Sequence, residues 1–343
     1  MLRPAGRVLH WALEPPFGER PAECAGAFQG ARMAQVAGEI QRRLHSLEDI
    51  RHLLRSIRAM SAIRWRRARA RLQSAQRYAS AVDRQLALAT TFPTALTRGV
   101  HHLKGSAASA EGSVGLIALT SDRGLCGTFN VGLVAHALDF IERERERGRG
   151  VKLISLGGYG ERFFCRADCE LLHTQHFPLT HAVSFVEARD IVAKVKHFYE
   201  TRAFNTLYLI YNQFVSFGRY QRVEVRLLPP DLAAVWRSVR ESSKGRQPLV
   251  PEDLILGTPP RALQDFLLWE HLAVQVYLAL IESMVSEQGA RLQTMDAAIA
   301  NLDERVEKLQ LQYHAIRQES ITQEVLEVQS NARGRRPFGM AGT

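Results

Sequence analysis

Residues 281–320, IESMVSEQGARLQTMDAAIANLDERVEKLQLQYHAIRQES, decide the fold. Ile281, Val285, Gln288, Leu292, Met295, Ile299, Leu302, Val306, Leu309, Tyr313, Ile316 and Ser320 recur at alternating steps of four and three. That is a 3.5-residue period, the seam of a left-handed coiled coil. Residues 261–330 contain no proline and only one glycine, Gly289, so they predict a single helix on the order of 100 Å long. A chain of 343 residues has no globular core that could bury such a helix, so it needs a partner helix. The polar seam residues Gln288 and Ser320 read as register devices, which trade stability for specificity.

The partner is found at the other end of the chain. Residues 37–82 lack proline, and Ile40, Leu44, Leu47, Ile50, Leu54, Ile57 and Ile63 mark one apolar face of a second long helix. This helix is strongly basic. Arg42, Arg43, Arg51, Arg55, Arg58, Arg64, Arg66, Arg67, Arg69 and Arg71 are opposed only by Glu39, Glu48 and Asp49 before residue 80. Such a face suits phosphate or an acidic protein collar.

Between the two helices the pattern changes. Residues 113–120, SVGLIALT, form a short apolar run that ends in the turn Ser121-Asp122-Arg123-Gly124, and a helical pattern follows through Leu133, Ala137, Phe140 and Ile141. Val151–Leu156 is a second strand closed by Gly157-Gly158-Tyr159-Gly160. A helix over 185–199 leads to a third strand over 206–211, and residues 218–230 add an edge hairpin that ends at Pro229-Pro230. Alternating strands and helices imply a parallel or mixed sheet with crossover helices.

The expected fold is therefore α/β: a long antiparallel coiled coil of the N- and C-terminal helices, with a Rossmann-like α/β domain inserted between them. The expected boundaries are 33–90 for the first helix, 91–240 for the domain, 241–260 for a Ser/Gly/Lys/Pro-rich linker, 261–332 for the second helix and 333–343 for a tail. Residues 1–32 read as a disordered or non-native extension, with translation expected to start at Met33. Pro4, Pro15, Pro16 and Pro21 break any helix there. A secretory signal would need an apolar core, and a mitochondrial presequence would be poor in acids, whereas Glu14, Glu19 and Glu23 are present.

Composition narrows the function. With 46% hydrophobic and 23% charged residues the chain has a globular balance, and its net charge of +10 asks for an acidic partner somewhere. No run of 18 apolar residues occurs, so no bilayer span is expected. The four cysteines Cys24, Cys126, Cys165 and Cys169 are too irregularly spaced for a disulfide scaffold.

No catalytic motif appears. The phosphate loop GxxxxGK[ST], GxGxxG, CxxC and HExxH are all absent from the sequence, so no catalytic residue, cofactor or metal is expected. Gly124-Leu125-Cys126-Gly127 superficially resembles a phosphate-binding turn, but glycines at a strand-to-helix turn serve backbone geometry first. His101-His102 is the only adjacent histidine pair. On these grounds the chain is an elongated binding or mechanical protein, and its rival reading is a basic coiled coil that carries nucleic acid.

Four blocks resemble the gamma subunit of F-type ATP synthase. Residues 39–62 are similar to the family's opening helix, through Glu39-Ile40, Leu44, Ser46, Leu47 and Arg55-Ser56-Ile57. Residues 121–130, SDRGLCGTFN, nearly repeat its SDRGLCGGFN signature, and residues 211–216, YNQFVS, match YNKFVS. Ser286-Glu287-Gln288, Ala290-Arg291, Met295-Asp296 and Arg317-Gln318 with Ile321-Thr322-Gln323-Glu324 follow the pattern of its terminal helix. The match covers roughly residues 33–330.

The resemblance implies a non-catalytic central rotor shaft that couples ion-driven rotation of the c ring to ATP synthesis or hydrolysis in the F1 head. The implied partners are the α and β subunits of the F1 head, the epsilon subunit and the c ring, with no nucleic acid. The implied location is peripheral to a bacterial inner membrane, on its cytoplasmic face. It also implies that Arg317, Gln318 and Thr322 form a catch on the β subunit. Arg51, Arg55, Arg58 and Arg64 would make a basic shaft face toward that subunit's acidic segment. Ser121, Asp122, Arg123, Gly124, Cys126 and Gly127 would form the signature turn.

Some positions depart from the family pattern. The opening helix carries Arg58-Ala59-Met60 three residues late, residues 327–332 read EVQSNA for EIVGGA, and the turn at 157–160 lacks a basic residue. These departures fit a divergent copy, such as the gamma subunit of the alternate, sodium-translocating bacterial F-ATPase. Cys165 and Cys169 lie outside the place of the chloroplast dithiol insertion, so redox control is not expected.

Overall fold

In a computed structural model, residues 22–90, 112–167, 169–177, 183–242 and 257–334 are described. Helix α1 is Ala22–Ala89 and helix α6 is Pro260–Gly334. Between them come β1 (Val114–Leu119), α2 (Phe129–Glu146), β2 (Val151–Leu156), α3 (Gly158–Arg166), β3 (Glu170–Gln175), α4 (Phe185–Glu200), β4 (Thr206–Ser216), β5 (Arg219–Leu228) and α5 (Leu232–Ser242). The chain forms two compact units, residues 53–299 and the two terminal stretches 1–52 with 300–343.

The larger unit holds a five-stranded sheet in the order β3-β2-β1-β4-β5. β1 pairs in parallel with β2 and β4, β2 in parallel with β3, and β5 runs antiparallel to β4. Every residue of β1 is buried, as a parallel strand covered on both faces requires. On one face Val114, Leu116 and Ala118 pack with Leu133, Ala137 and Phe140 of α2. On the other, Ile117 and Leu119 join Ile191 and Val195 of α4 and Leu272, Val276 and Leu280 of α6. Helix α4 starts with a complete capping box, in which Ser184 and Glu187 bond each other's backbone N–H groups.

Within this unit α1 and α6 run antiparallel. Ala68, Leu72 and Ala75 pack on Ile281 and Val285, and Ala79 and Val82 pack on Val274. Arg58 pairs with Asp296, and farther along α1 Asp83 meets His271 at 2.7 Å. The smaller unit has its own antiparallel pairing, in which Arg51 Nε lies 2.7 Å from Asp303 Oδ1. The seam expected in α6 is the observed one. Met295 and Val306 are buried, and Ile299, Leu302, Leu309, Tyr313, Ile316 and Ser320 are half-buried, while the chain neighbours of these six, apart from the half-buried Ala298 and Asp303, are exposed.

The first helix departs from its expected face. Ile50 and Ile63 are 45% and 47% exposed. The sequence reading followed aliphatic residues and left every arginine to solvent. The buried or paired α1 positions instead run Ile40, Leu44, Leu47, Arg51, Leu54, Arg58, Ser61, Trp65, Ala68 and Leu72, a 3.5 period in which two arginines occupy the seam and meet aspartates. Long guanidinium stems cover apolar surface while the head finds a carboxylate.

The helical backbone starts at Ala22, inside the segment read as structureless, because Pro21 is the last residue there that forbids a helix. Elements α3, β3 and α5 were not expected. β3 is a half-buried edge strand without clean alternation, and α3 has nine residues. Residues 243–256, most of the expected linker, lie outside the described residues, as do residues 1–21, 335–343 and the His101-His102 pair. One window of α6 reaches a mean hydropathy of 1.2, enough to cross a membrane by composition, and 61% of it is buried inside the protein as in a core helix.

Replacing Leu72, which is 1% exposed, with Ala should cost about 2–5 kcal/mol of unfolding free energy in denaturant titrations. Replacing the exposed Ile50 with Ala should change it by no more than about 0.5 kcal/mol. Equal losses at the two positions would refute the arginine-containing seam.

Candidate functional site: the junction of sheet and long helix

Residues beyond the carboxyl end of β1 tie the next turn to the sheet. Thr120 Oγ1 accepts the Gly160 N–H at 2.9 Å, and Asp122 Oδ1 accepts the Gly158 N–H at 2.8 Å, so a carboxylate caps α3 from outside it. Gly157 sits at φ 103°, where a Cβ would collide with the Thr120 carbonyl. Only glycine fits there.

The turn at 121–130 is organised around Asn130, which is 2% exposed. Its Oδ1 accepts the Ser121 N–H at 3.0 Å, and its Nδ2 donates to Ser121 Oγ at 2.7 Å and to the Arg123 carbonyl at 3.4 Å. Ser121 Oγ donates to the Arg123 carbonyl at 2.7 Å. Leu125 and Gly127 take left-handed φ angles of 63° and 59°. Leu125 pays strain there that glycine would avoid. Cys126 is buried, and that burial pushes its thiol up, which makes it a packing group and not a nucleophile.

The long helix grips this turn. Arg291, 4% exposed, donates from Nη2 to the Gly124 carbonyl at 3.3 Å and pairs with Glu287 at 2.7 Å. Burial pushes the Glu287 carboxyl up while the Arg291 guanidinium pulls it down. Ala290 packs on Cys126 and Phe129. From β4, Asn212 Nδ2 donates to the Phe129 carbonyl at 3.1 Å, and Tyr211 Oη donates to Glu282 Oε2 at 3.0 Å. Gly289 lets the β4–β5 hairpin approach, since a Cβ there would stand 3.3 Å from the Gly218 nitrogen. Trp65 of α1 meets Phe217 of the same hairpin edge-on, with ring centroids 5.2 Å apart. Three motifs far apart in sequence, at 121–130, 211–216 and 286–291, converge on one junction.

The other expected residues lie elsewhere. Arg51 and Arg58 are engaged by Asp303 and Asp296. Arg55 is exposed, and Arg64 is half-buried beside Glu287. In the smaller unit Arg317, Gln318 and Thr322 are exposed on α6, with Thr322 Oγ1 donating to the Gln318 carbonyl at 2.8 Å. Asn130, Glu287 and Arg291 were read as motif letters without a role. Only Asn130 carried a signal, as a polar residue on the apolar face of α2 that also bears Leu133, Val134 and Ala137. Among the described residues no group of three His, Cys, Asp or Glu could hold a metal.

The profile of a family described as ATP synthase matches residues 37–334. The chain belongs to the ATP synthase gamma family. The ATP synthase gamma chain of Heliobacterium modesticaldum is 30% identical over 301 residues, covering 86% of this chain and 97% of the relative. A rotor chain of the Euglena gracilis mitochondrial ATP synthase in rotational state 1 shares the fold at a TM-score of 0.55 with 16% identity, covering 84% of this chain and 99% of that one. A chain of the same synthase's OSCP/F1/c-ring structure in rotational state 3 reaches 0.59 with 17% identity, covering 90% of this chain and 99% of its own length. Family membership makes the chain a non-catalytic central-stalk subunit of an F-type ATP synthase, and it gives the nucleic-acid reading no support.

Replacing Asn130 with Ala leaves the buried Ser121 N–H unpaired and should lower stability by about 1–3 kcal/mol in denaturant titrations. Glu282 yields a pH prediction. Burial raises its carboxyl above the ordinary value, and Tyr211 opposes this more weakly. A raised acid is favoured protonated in the fold, so its contribution is present at low pH and lost as pH rises through the window above the ordinary carboxylate range. Glu282→Gln should therefore flatten the fall in melting temperature as pH rises through the range just above the ordinary carboxylate value. An unchanged slope would contradict the assignment.

Proposed function

We propose that this chain turns as the central shaft inside the α and β subunits of an F1 head. It would be seated on a c ring with an epsilon subunit at its base, peripheral to a bacterial inner membrane on the cytoplasmic side. The observation that carries this reading is the junction: the turn after β1 is fastened to α6 by the Arg291 bond to the Gly124 carbonyl, and β4 is fastened to it by the Tyr211–Glu282 contact, while Asn212 ties β4 to the start of α2. A base fastened in this way passes a turning force to the long helix without slipping along it. Turning the shaft changes its contacts with each β subunit, and only a contact energy that differs between states redistributes nucleotide affinity among the sites.

The catch is assigned to Arg317 and Gln318, with Thr322 beside them. All three are exposed, and Arg317 has no ion pair among the described residues. The basic face is assigned chiefly to Arg55, flanked by Arg51 and Arg58, whose charges are partly spent on aspartates within the coil. Exposed ion pairs are worth only about 0–1 kcal/mol each, which suits a surface that must slide.

Adding the purified chain to cognate α and β subunits should stimulate their ATP hydrolysis. Salt-sensitive RNA binding without such stimulation would reinstate the nucleic-acid reading. The double replacement Arg317→Ala with Gln318→Ala should leave assembly intact and slow coupled turnover about tenfold, since about 1.4 kcal/mol lost in a rate-limiting state has that effect. Parental turnover in an assembled double variant would remove the catch role.

A further inference from the structure

A cleft of about 240 Å³ opens in the larger unit where the carboxyl end of β1 faces α1 and α6. Its floor is apolar, with Leu119, Leu280, Met284 and Phe177. One wall is α1, which contributes Arg64, Arg67 and Arg71. On the opposite wall the acids are already engaged: Asp122 caps α3 and Glu287 is paired with Arg291. Arg67 makes no ion pair among the described residues, and Arg71 makes only a 3.5 Å contact to the Val183 carbonyl. Gln288, 4% exposed with an unpartnered Oε1, stands in the inner wall.

The place of the cleft in the sheet also matters. In the order β3-β2-β1-β4-β5 the chain leaves β1 toward β2 on one side and returns as β4 on the other. The crevice beyond the carboxyl ends at such a reversal is where open α/β sheets take their ligands. Here the usual Gly-rich phosphate loop is missing, and a row of guanidinium groups stands over the crevice instead. Arg64 and Arg71 are about 10 Å apart along the helix at 1.5 Å per residue. That spacing suits an extended anion better than a single carboxylate. Guanidinium groups bind phosphate oxygens in bidentate pairs. The volume lies below the usual range of about 300–1,000 Å³ for drug-sized ligands, so the occupant is small.

We propose that this cleft binds a small phosphorylated molecule carrying two or more phosphate charges, held by Arg64, Arg67 and Arg71 with its uncharged part against Phe177 and Met284. This goes beyond the shaft's role and does not depend on it, since the site lies within one chain and requires no turning.

The test uses the purified full chain in equilibrium dialysis with ADP and, separately, inorganic pyrophosphate. One of them should bind saturably with one site per chain, and more weakly as salt is raised. Arg67→Gln with Arg71→Gln, both exposed and outside the junction contacts, should weaken binding at least about tenfold while leaving circular dichroism and melting temperature unchanged. Arg55→Gln, on the same helix but outside the cleft, should leave binding alone. If pyrophosphate competes fully with ADP, the phosphates alone are recognised. If ADP binds and pyrophosphate does not displace it, the floor also reads the nucleoside. Either result sustains the site. No saturable binding of either probe up to millimolar concentration would overturn the proposal, and so would an equal loss with Arg55→Gln, which would mean diffuse charge attraction.

Discussion

A helix of 75 residues with an apolar stripe cannot keep that stripe in water, and the need to cover it organises the rest. In the larger unit α6 does so twice. Ile281 and Val285 pack on Ala68, Leu72 and Ala75 of α1, and Leu272, Val276 and Leu280 enter the core beneath the sheet. The small residues of α1 at this contact let the helix axes come close, since interaxial distance follows the side chains at the crossing. Helix α6 is thus a wall of the domain and a strand of the coil at once. Any displacement of one core is felt in the other, because close-packed interiors transmit strain.

The part of this arrangement legible in the sequence is the part built on apolar periodicity. The seam of α6 and the buried runs of β1, β2 and β4 announce themselves because a residue facing a core on one side must repeat with the period of its element, whereas residues 218–230, read as a hairpin, are the single strand β5 that pairs with a longer β4. The edge strand β3 was invisible for the converse reason. Glu170–Gln175 has one covered side and lies at the margin of the sheet, so its residues are half-buried without alternation. α3 was hidden by Gly158 and Gly160, which read as a turn. They are in fact the first turn of a helix whose cap is Asp122, from a different loop.

The arginines of α1 show a subtler limit. Charge is normally a sign of solvent, and counting Arg51 and Arg58 as solvated placed Ile50 and Ile63 on the seam instead. What reverses the assignment is the pair of aspartates on the opposite helix, Asp303 and Asp296, neither of which has a pairing role in the sequence reading. The information was present in the sequence, but only jointly, in two segments separated by the whole inserted domain. Half-exposed pairs of this kind contribute little to stability. Their effect is on register, because sliding one helix past the other by a turn would leave each guanidinium without its carboxylate.

The same distinction explains the polar residues at the junction. Apolar burial is non-directional and proportional to area, so a base held to α6 by Ala290 and Phe129 alone could creep along the helix at little cost. A hydrogen bond weakens steeply as it bends away from its preferred line. Arg291 on the Gly124 carbonyl and Tyr211 on the Glu282 carboxyl therefore allow one alignment of sheet and helix. Buried ion pairs such as Glu287 with Arg291 are weak evidence of stability, since desolvation consumes most of the attraction, while removing one partner is costly. A static scaffold would do as well with an apolar contact there. In a part that must deliver rotation, an interface with one permitted alignment is what keeps the angle of the sheet and the angle of α6 the same.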